Sequence, residues 1–580
     1  MKLKLACASL LVLSACGTSP DAMQALQSMK ITPDGEQVGL SYKSMSGSGN
    51  DVILKDVQLR SRVGPAMKID VPLGPPEADQ PPAPPAPASS SEKTSEIVAR
   101  ADSVTLKGLT MKDGKPTVRD IVFSNIAPTS LPAGATVNVG SVVLEGMNEA
   151  TGRFVAAAFA QDDAGEPPAF EQWGFSKAGI GAMTLAFAIP QEGGAAGKVN
   201  IQLGELSFSD LKDKKIGLAR LDGLKGDLDI PGMPPVVGTF DLGRMEIGGI
   251  NTDRLTSAFA QSWNQRMNPG APVDYAAMYK DYTSPLDGGV DRVFWDGAKA
   301  DISGLKFSLN GLNSTIKRNA DGVAVGIDFP RTTLKLTADS SGGSMGAMGL
   351  MLMAMGGYDS NVVEAYLAGV ASFDPAKDIT RWDNYNLGVT DAFDVKVSLG
   401  VEGLQKALPT LLSAISQIEA AEAAKAGDDD TDEDADADED QDSGAKDGGL
   451  FGNPAMGSLV MGLLPLQLTD IDMSITDQKV VNLILERQAA SAGQDVAAFR
   501  QDLVTMLAGS AVFMKDAGID AAIADELSAA ASGFMAGPGT LRIQLKPKQP
   551  LGVMSAMLMP LTKESLGFEA TFTPIAPAAQ

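Results

Sequence analysis

From about Ile31 onward, apolar and polar residues alternate almost one by one in short runs. Val52 to Leu59, Ser103 to Leu109 and Lys198 to Leu203 are examples. A period of two marks a strand with one buried face. Gly-Leu or Gly-Met pairs recur where such runs end, at Gly108-Leu109, Gly146-Met147, Gly223-Leu224 and Gly304-Leu305. Other windows carry helical spacing. A helical turn is expected at Ala22 to Met29, a long helix from about Glu402 to Ala426, and helices over Gln478 to Ala490, Asp495 to Ala508 and Ile519 to Phe534. Strands at Ile471 to Ile475 and Leu541 to Leu545 flank the last group, and a short Met-rich helix is expected near Val553 to Met559. The pattern predicts an α+β fold. Its body is β-rich, elongated and repetitive, built of short antiparallel strands with interspersed helices, and its C-terminal part is more helical.

Two low-complexity segments punctuate this text. Residues 72–91 are Pro-rich and predict an extended, solvated loop. Asp428 to Asp442 is a carboxylate run that repels itself. The resulting division is a repetitive region at 31–426, an acidic linker at 427–449 and a C-terminal α+β region at 450–580. Within the first region, Gly140 to Asn148 resembles Gly243 to Asn251, and each precedes an apolar stretch ending in the same four residues, Ala158 to Gln161 and Ala258 to Gln261. Trp173, Trp295 and Trp382 each stand shortly before a new strand run. Together these predict a duplicated strand-helix unit, with a third, more diverged copy.

The first residues follow a different logic. Lys2 and Lys4 precede the apolar run Leu5 to Leu13, too short for a spanning helix of about 20 residues. Small residues Ser14 and Ala15 then lead to Cys16. Leu13-Ser14-Ala15-Cys16 resembles the lipobox of bacterial lipoproteins. That resemblance implies removal of residues 1–15 as a signal peptide, acylation of Cys16 (palmitate among the chains), and a lipidated tether over 16–30. Several acyl chains anchor a protein effectively permanently, since each buried methylene adds about 0.8 kcal/mol. Gly17, where Asp signals inner-membrane retention in many Gram-negative lipoproteins, directs the expectation to the outer membrane, facing the periplasm. In texture the body resembles uncharacterised, repetitive β-rich envelope proteins of Gram-negative bacteria.

Composition narrows the chemistry. The chain has 580 residues and no histidine, and its two cysteines are Cys7, inside the signal, and Cys16. Ser-His-Asp and Cys-His arrangements and the usual zinc sites are therefore excluded, as is an internal disulfide in the processed chain. A formal charge of -25 repels nucleic acid.

Local motifs read as structure. Gly342-Gly343-Ser344-Met345-Gly346 has the G-x-S-x-G form but no histidine base exists. Ser209 to Lys212 and Ser314 to Lys317 match S-x-x-K without the partner motifs. Gly193 to Val199 is one residue short of a phosphate loop and reads as a hairpin. Met345, Met348, Met351, Met353 and Met355 could offer thioethers to Cu(I), but read better as an apolar segment that packs on the body or meets lipid or a partner. The alternating Asp432, Asp434, Asp436 and Asp438 lack the glycine of a calcium loop, with Ala437 at that place. No catalytic, metal or cofactor residue is assigned. The expectation is a non-enzymatic, lipid-anchored envelope protein whose β-rich body is structural or binds a hydrophobic ligand. Its alternatives are a scaffold that binds an envelope protein and, remotely, a carboxylate-based hydrolase. The expected partners are the membrane, through the anchor, and lipid or an envelope protein.

Overall fold

The computed structural model describes residues 17–33, 38–62, 95–129, 134–160, 170–189, 196–232, 235–253, 283–355, 360–426, 461–552 and 561–575, with a few single positions between them. The signal segment with Cys16, the Pro-rich loop, the acidic run and most of the expected Met-rich helix near 553–559 lie outside them. The chain divides into two compact units, Met1–Ile230 and Pro231–Gln580. The fold is β-rich α+β, as the alternation predicts.

In the first unit, helix α1 (Pro20–Ser28) starts at Ser19, whose hydroxyl accepts from the Ala22 amide at 3.2 Å, with Pro20 pre-set for the first turn. Its Ala22, Ala25, Leu26 and the following Met29 are buried against Leu40, Val52, Leu54, Val104 and Leu106. Those residues belong to an antiparallel sheet of β1 (Gly39–Tyr42), β2 (Ser44–Ser48), β3 (Asp51–Arg62), β4 (Ser95–Lys107), β5 (Asp120–Pro128), β6 (Thr136–Glu145), β7 (Phe175–Ile189), β8 (Gly197–Leu211), β9 (Lys215–Asp222) and β10 (Lys225–Ile230). β3 to β8 pair in sequence order, so each strand neighbours the next. Helix α2 (Glu149–Ala160) is inserted between β6 and β7.

The second unit repeats the principle. β11 (Val236–Asp241) and β12 (Met245–Asn251) both pair with β13 (Arg292–Ile302). A meander follows through β14 (Leu305–Arg318), β15 (Ala324–Ala338), β16 (Val362–Asp374), β17 (Ile379–Val389), β18 (Phe393–Glu402), β19 (Gln467–Asp477), β20 (Gly539–Leu545) and β21 (Glu569–Pro574). Helices enter at strand ends: α3 (Ser344–Met355) after β15, α4 (Leu404–Ala426) after β18, and α5 (Val480–Ala492), α6 (Val496–Asp516) and α7 (Ala521–Ala536) after β19. α7 packs through Ile523 and Ala530 on Leu541, Ile543 and Leu545 of β20.

Two boundaries differ from the sequence reading. β18 and β19 pair antiparallel over their whole length, so the strands on either side of the acidic segment share one sheet, and the division falls at Ile230 instead. Trp295 and Trp382 sit inside β13 and β17 rather than before them. The Gly-apolar pairs have a common cause. Gly108, Gly146, Gly223 and Gly304 all take positive φ, which lets the chain leave a strand sharply, and after the first two of them the next residue, Leu109 or Met147, is buried. The two similar segments share the positive φ. Gly146 (φ 63°) leads to Asn148, whose side-chain oxygen Oδ1 accepts from the Thr151 amide, and Gly249 (φ 64°) leads to Asn251, whose Oδ1 accepts from the Asp253 amide. Ala258 to Gln261, the end of the second copy, lies outside the described residues.

Candidate apolar binding surface

Alternation along the second unit's strands sorts side chains by face, and the register lines them up across strands. One row runs Leu367, Leu387, Val395, Ile475, Leu541, Phe572, each directly opposite the next, over six strands. A second row runs Ala298, Leu309, Leu334, Ala365, Val389, Phe393. Both belong to one apolar face. α7 covers its β20 end. α3 reaches its far edge, where Gly349 lies against Leu305 and Ala338, and between the two helices large side chains stay exposed: Leu367 is 48% and Leu387 52% exposed, with Phe307 and Leu334 at 37%. Exposed apolar groups in one contiguous patch mark a binding surface more often than chance packing.

The opposite face is polar, and several of its side chains pair with one another, while the buried Asn386 Oδ1 has no hydrogen-bond partner among the described residues. Tyr366 reaches across Gly388, where a Cβ would meet its hydroxyl at 2.5 Å, to donate to Asp394 at 2.5 Å, while Arg331 lies 3.9 Å over its ring. Burial first, then Asp394, pushes the phenol up to about 12, so it is no base at neutral pH. Arg542 makes a forked pair with Asp472 at 2.9 and 2.6 Å, and this pair together with Gln544 holds the Asp472 carboxyl below its usual range despite burial. Arg381 makes a similar fork with Asp470.

A hollow of about 670 Å³ lies beside the start of α4, lined by Lys377, Asp378, Glu402, Gln405 and Lys406 among others. Asp378 is occupied there: its carboxylate accepts from the Gln405 amide at 3.0 Å and stands 3.7 Å from Lys406. It caps α4. In the first unit, Lys112 and Lys177 hold Glu149 and Glu205 below the usual carboxylate range. Asp120 is lowered as well. Burial opposes that shift, but the Arg119 side chain and the Gly146 amide outweigh it. These perturbed carboxylates each have a structural partner.

The sequence motifs fall apart in three dimensions. Ser314 and Lys317 stand three apart on β14 and point to opposite faces. Ser209 lies in β8, while Lys212 is an exposed turn residue. Ile189 of β7 pairs with Gly197 of β8, so Gly193 to Val199 spans a β-connection, although 191–195 lie outside the described residues. Gly342 to Gly346 does occupy a strand-to-helix turn, with Gly343 at φ 132° and Ser344 opening α3, which gives the serine an elbow-like place but no base. α3 buries Gly346, Gly349 and Met353. It presents Met348, Met351, Leu352 and Met355, an i, i+3, i+4, i+7 stripe, to solvent, Met351 at 57%. Among the described residues no helix is long and apolar enough to cross a membrane, and no group of three or more His, Cys, Asp or Glu residues is placed to hold a metal.

Residues 386–571 match one protein family, described only as an uncharacterized protein. That match spans from within β17 to within β21 and includes four residues of the Leu387 row, Leu387, Val395, Ile475 and Leu541. No curated protein and no solved structure matches the chain.

Proposed function

We propose that the protein is a lipid-anchored component of a bacterial cell envelope, held by Cys16 at the outer membrane and facing the periplasm, whose body is not an enzyme but holds hydrophobic molecules. The observation that carries this reading is the apolar row from Leu367 to Phe572, half exposed at its Leu367-Leu387 end. Removing such surface from water is worth about 25 cal/mol per Å², so an open row of large side chains favours an apolar occupant. The lipobox at Leu13 to Cys16 supports the anchor. Detergent-free protein starting at Gly17 should carry lipid-sized adducts in native mass spectrometry. Radiolabelled palmitate should enter the full chain and not its Cys16→Ala variant, and a full chain that takes up no label removes the anchor.

A second reading has its own observation. The solvent-facing Met and Leu stripe of α3 has the spacing and adaptability of a partner-binding helix. It favours a scaffold in envelope protein assembly. A photocrosslinker at Met351 should then trap one specific envelope protein in cells, and labelling of lipid alone would remove this reading.

A further inference from the structure

A furrow crosses the apolar face of the first unit, and we propose that it binds a single acyl-type hydrocarbon chain. This inference rests on the hydrophobic-ligand reading above and names the ligand class and the place. The furrow comes from a coherent irregularity in the sheet. On β5 the apolar face carries Ile121 and Phe123 and then Ile126, a spacing of three instead of two, because Asn125 takes an extra left-handed position at φ 52°. Asp56 on β3 and Ala182 on β7 do the same, both at φ 52°. On the strands between and beyond, Asp102, Gly140 and Gly204 drop out of the ladder at the same level. The pairs flanking the gap stay in register across all six strands, for example Ser103 with Ser124 and Ala101 with Ile126.

Three residues of strand separate apolar side chains by roughly 10 Å, against roughly 7 Å for two, so a strip without large side chains runs across the strands. The step recurs on six strands, and the part of the strip that opens as a hollow spans β3 to β6, roughly 14 Å at about 4.8 Å per strand. One acyl chain contributes about half of the ~30 Å hydrocarbon core of a bilayer, and so fits lengthwise.

The row residues themselves leave the strip apolar. Asp56, Asp102 and Asn125 are solvent-exposed, and Asn125 donates to Asp102 at 2.7 Å. None of the three lines the hollow that opens over β3 to β6, a space of about 200 Å³ lined by Val57, Leu59, Ala101, Phe123, Ile126 and Val142, with Arg100 beside them. An apolar cavity of about 150 Å³ already stays dry and takes up benzene. A linear chain matches the long, narrow form of the strip.

The test uses full-length protein, wild-type and Cys16→Ala, with a dansylated fatty acid as the fluorescent probe. Palmitate and dipalmitoylphosphatidylcholine serve as competitors, separating a free acid from a phospholipid tail. Ala101→Phe, which fills the furrow, should weaken probe binding by about tenfold or more, while Ser103→Phe on the other face leaves it within about twofold. Tighter probe binding by Cys16→Ala than by wild-type identifies the protein's own acyl group as occupant, and equal binding an external chain. Should Ala101→Phe fail to fold, diazirine-palmitate labelling of the unaltered chain replaces it, with labelled peptides expected from residues 99–126. Labels confined to residues 361–400 would overturn the furrow while keeping the hydrophobic-ligand reading. No displaceable binding anywhere would overturn both.

Discussion

Leu367 and Leu387 stand directly opposite each other on neighbouring antiparallel strands, and both keep about half their surface in water. A cross-strand leucine pair normally contributes through mutual burial. Here little of that gain is realised, which separates this pair from the leucines of the first unit's core. The double variant Leu367→Ser/Leu387→Ser should change unfolding free energy by no more than about 1 kcal/mol. Leu54→Ala, at a position with no exposure, should cost about 2–5 kcal/mol. Urea denaturation compares them. If the serine variant also binds an environment-sensitive apolar dye as well as wild-type does, the face is not a ligand surface.

Ala182 offers a sharper test of the irregular row. An alanine at φ 52° pays a steric cost that glycine escapes, about 1–2 kcal/mol. Ala182→Gly should therefore raise the midpoint of thermal unfolding. Ala186→Gly, four residues along the same strand in ordinary ladder pairing with Thr136 and Asn200, should lower stability by about 0.5–1 kcal/mol. Two changes of the same composition with opposite signs distinguish the row from a generic effect of glycine.

Asp120 ties the end of β6 to the start of β5, accepting from the Gly146 amide at 2.8 Å and from Arg119. Its carboxyl is lowered in the folded state, so the ionised form stabilises the fold at neutral pH. That contribution is present above the unfolded carboxylate value of about 3.9 and disappears as pH falls through the lower folded value. Asp120→Ala should cost about 1 kcal/mol at pH 7. The difference from wild-type should shrink as the pH is taken below about 4, as read by thermal melts across that window.

Asp477 has the opposite sign. Burial raises its carboxyl, only partly offset by the amides of Val481 and Val480 and by Arg500. The folded chain therefore holds this proton more tightly than the unfolded one, and the contribution present below about pH 3.9 is lost as pH rises through the raised folded value. Asp477→Asn keeps an acceptor for the Val481 amide and removes the titration. The stability of the variant relative to wild-type should increase as pH rises through that window, and melts showing a parallel dependence for both proteins would contradict the assignment.

Much of the fold is legible in the sequence because it obeys local rules. Strands such as β3 and β8 follow from period two, and the positive-φ glycines at 108, 146, 223 and 304 announce themselves as Gly-apolar pairs at strand ends. α5, α6 and α7 begin and end within a few residues of their expected bounds, except for the longer C-terminal end of α6. α3 escapes such a reading because its segment is apolar all round, and only packing decides that Met353 turns inward while Met351 and Met355 face water. The row through Asp56, Asn125 and Ala182 leaves a trace, a step from two to three in the spacing of apolar residues on one strand. Taken alone, that step resembles the end of a strand. Its meaning lies in six such steps falling at one level, and register is a property of pairing rather than of any single segment. The same holds for β18 and β19, whose pairing spans a long insertion.

The most direct test of the central claim is native mass spectrometry of the chain from Gly17 onward, prepared without detergent from envelope-containing cells. Masses above that of the polypeptide by one or more lipid increments, lost on Leu367→Ser/Leu387→Ser or on Ala101→Phe, are the expected result. A single peak at the bare polypeptide mass, from protein that is folded by circular dichroism, would contradict the account.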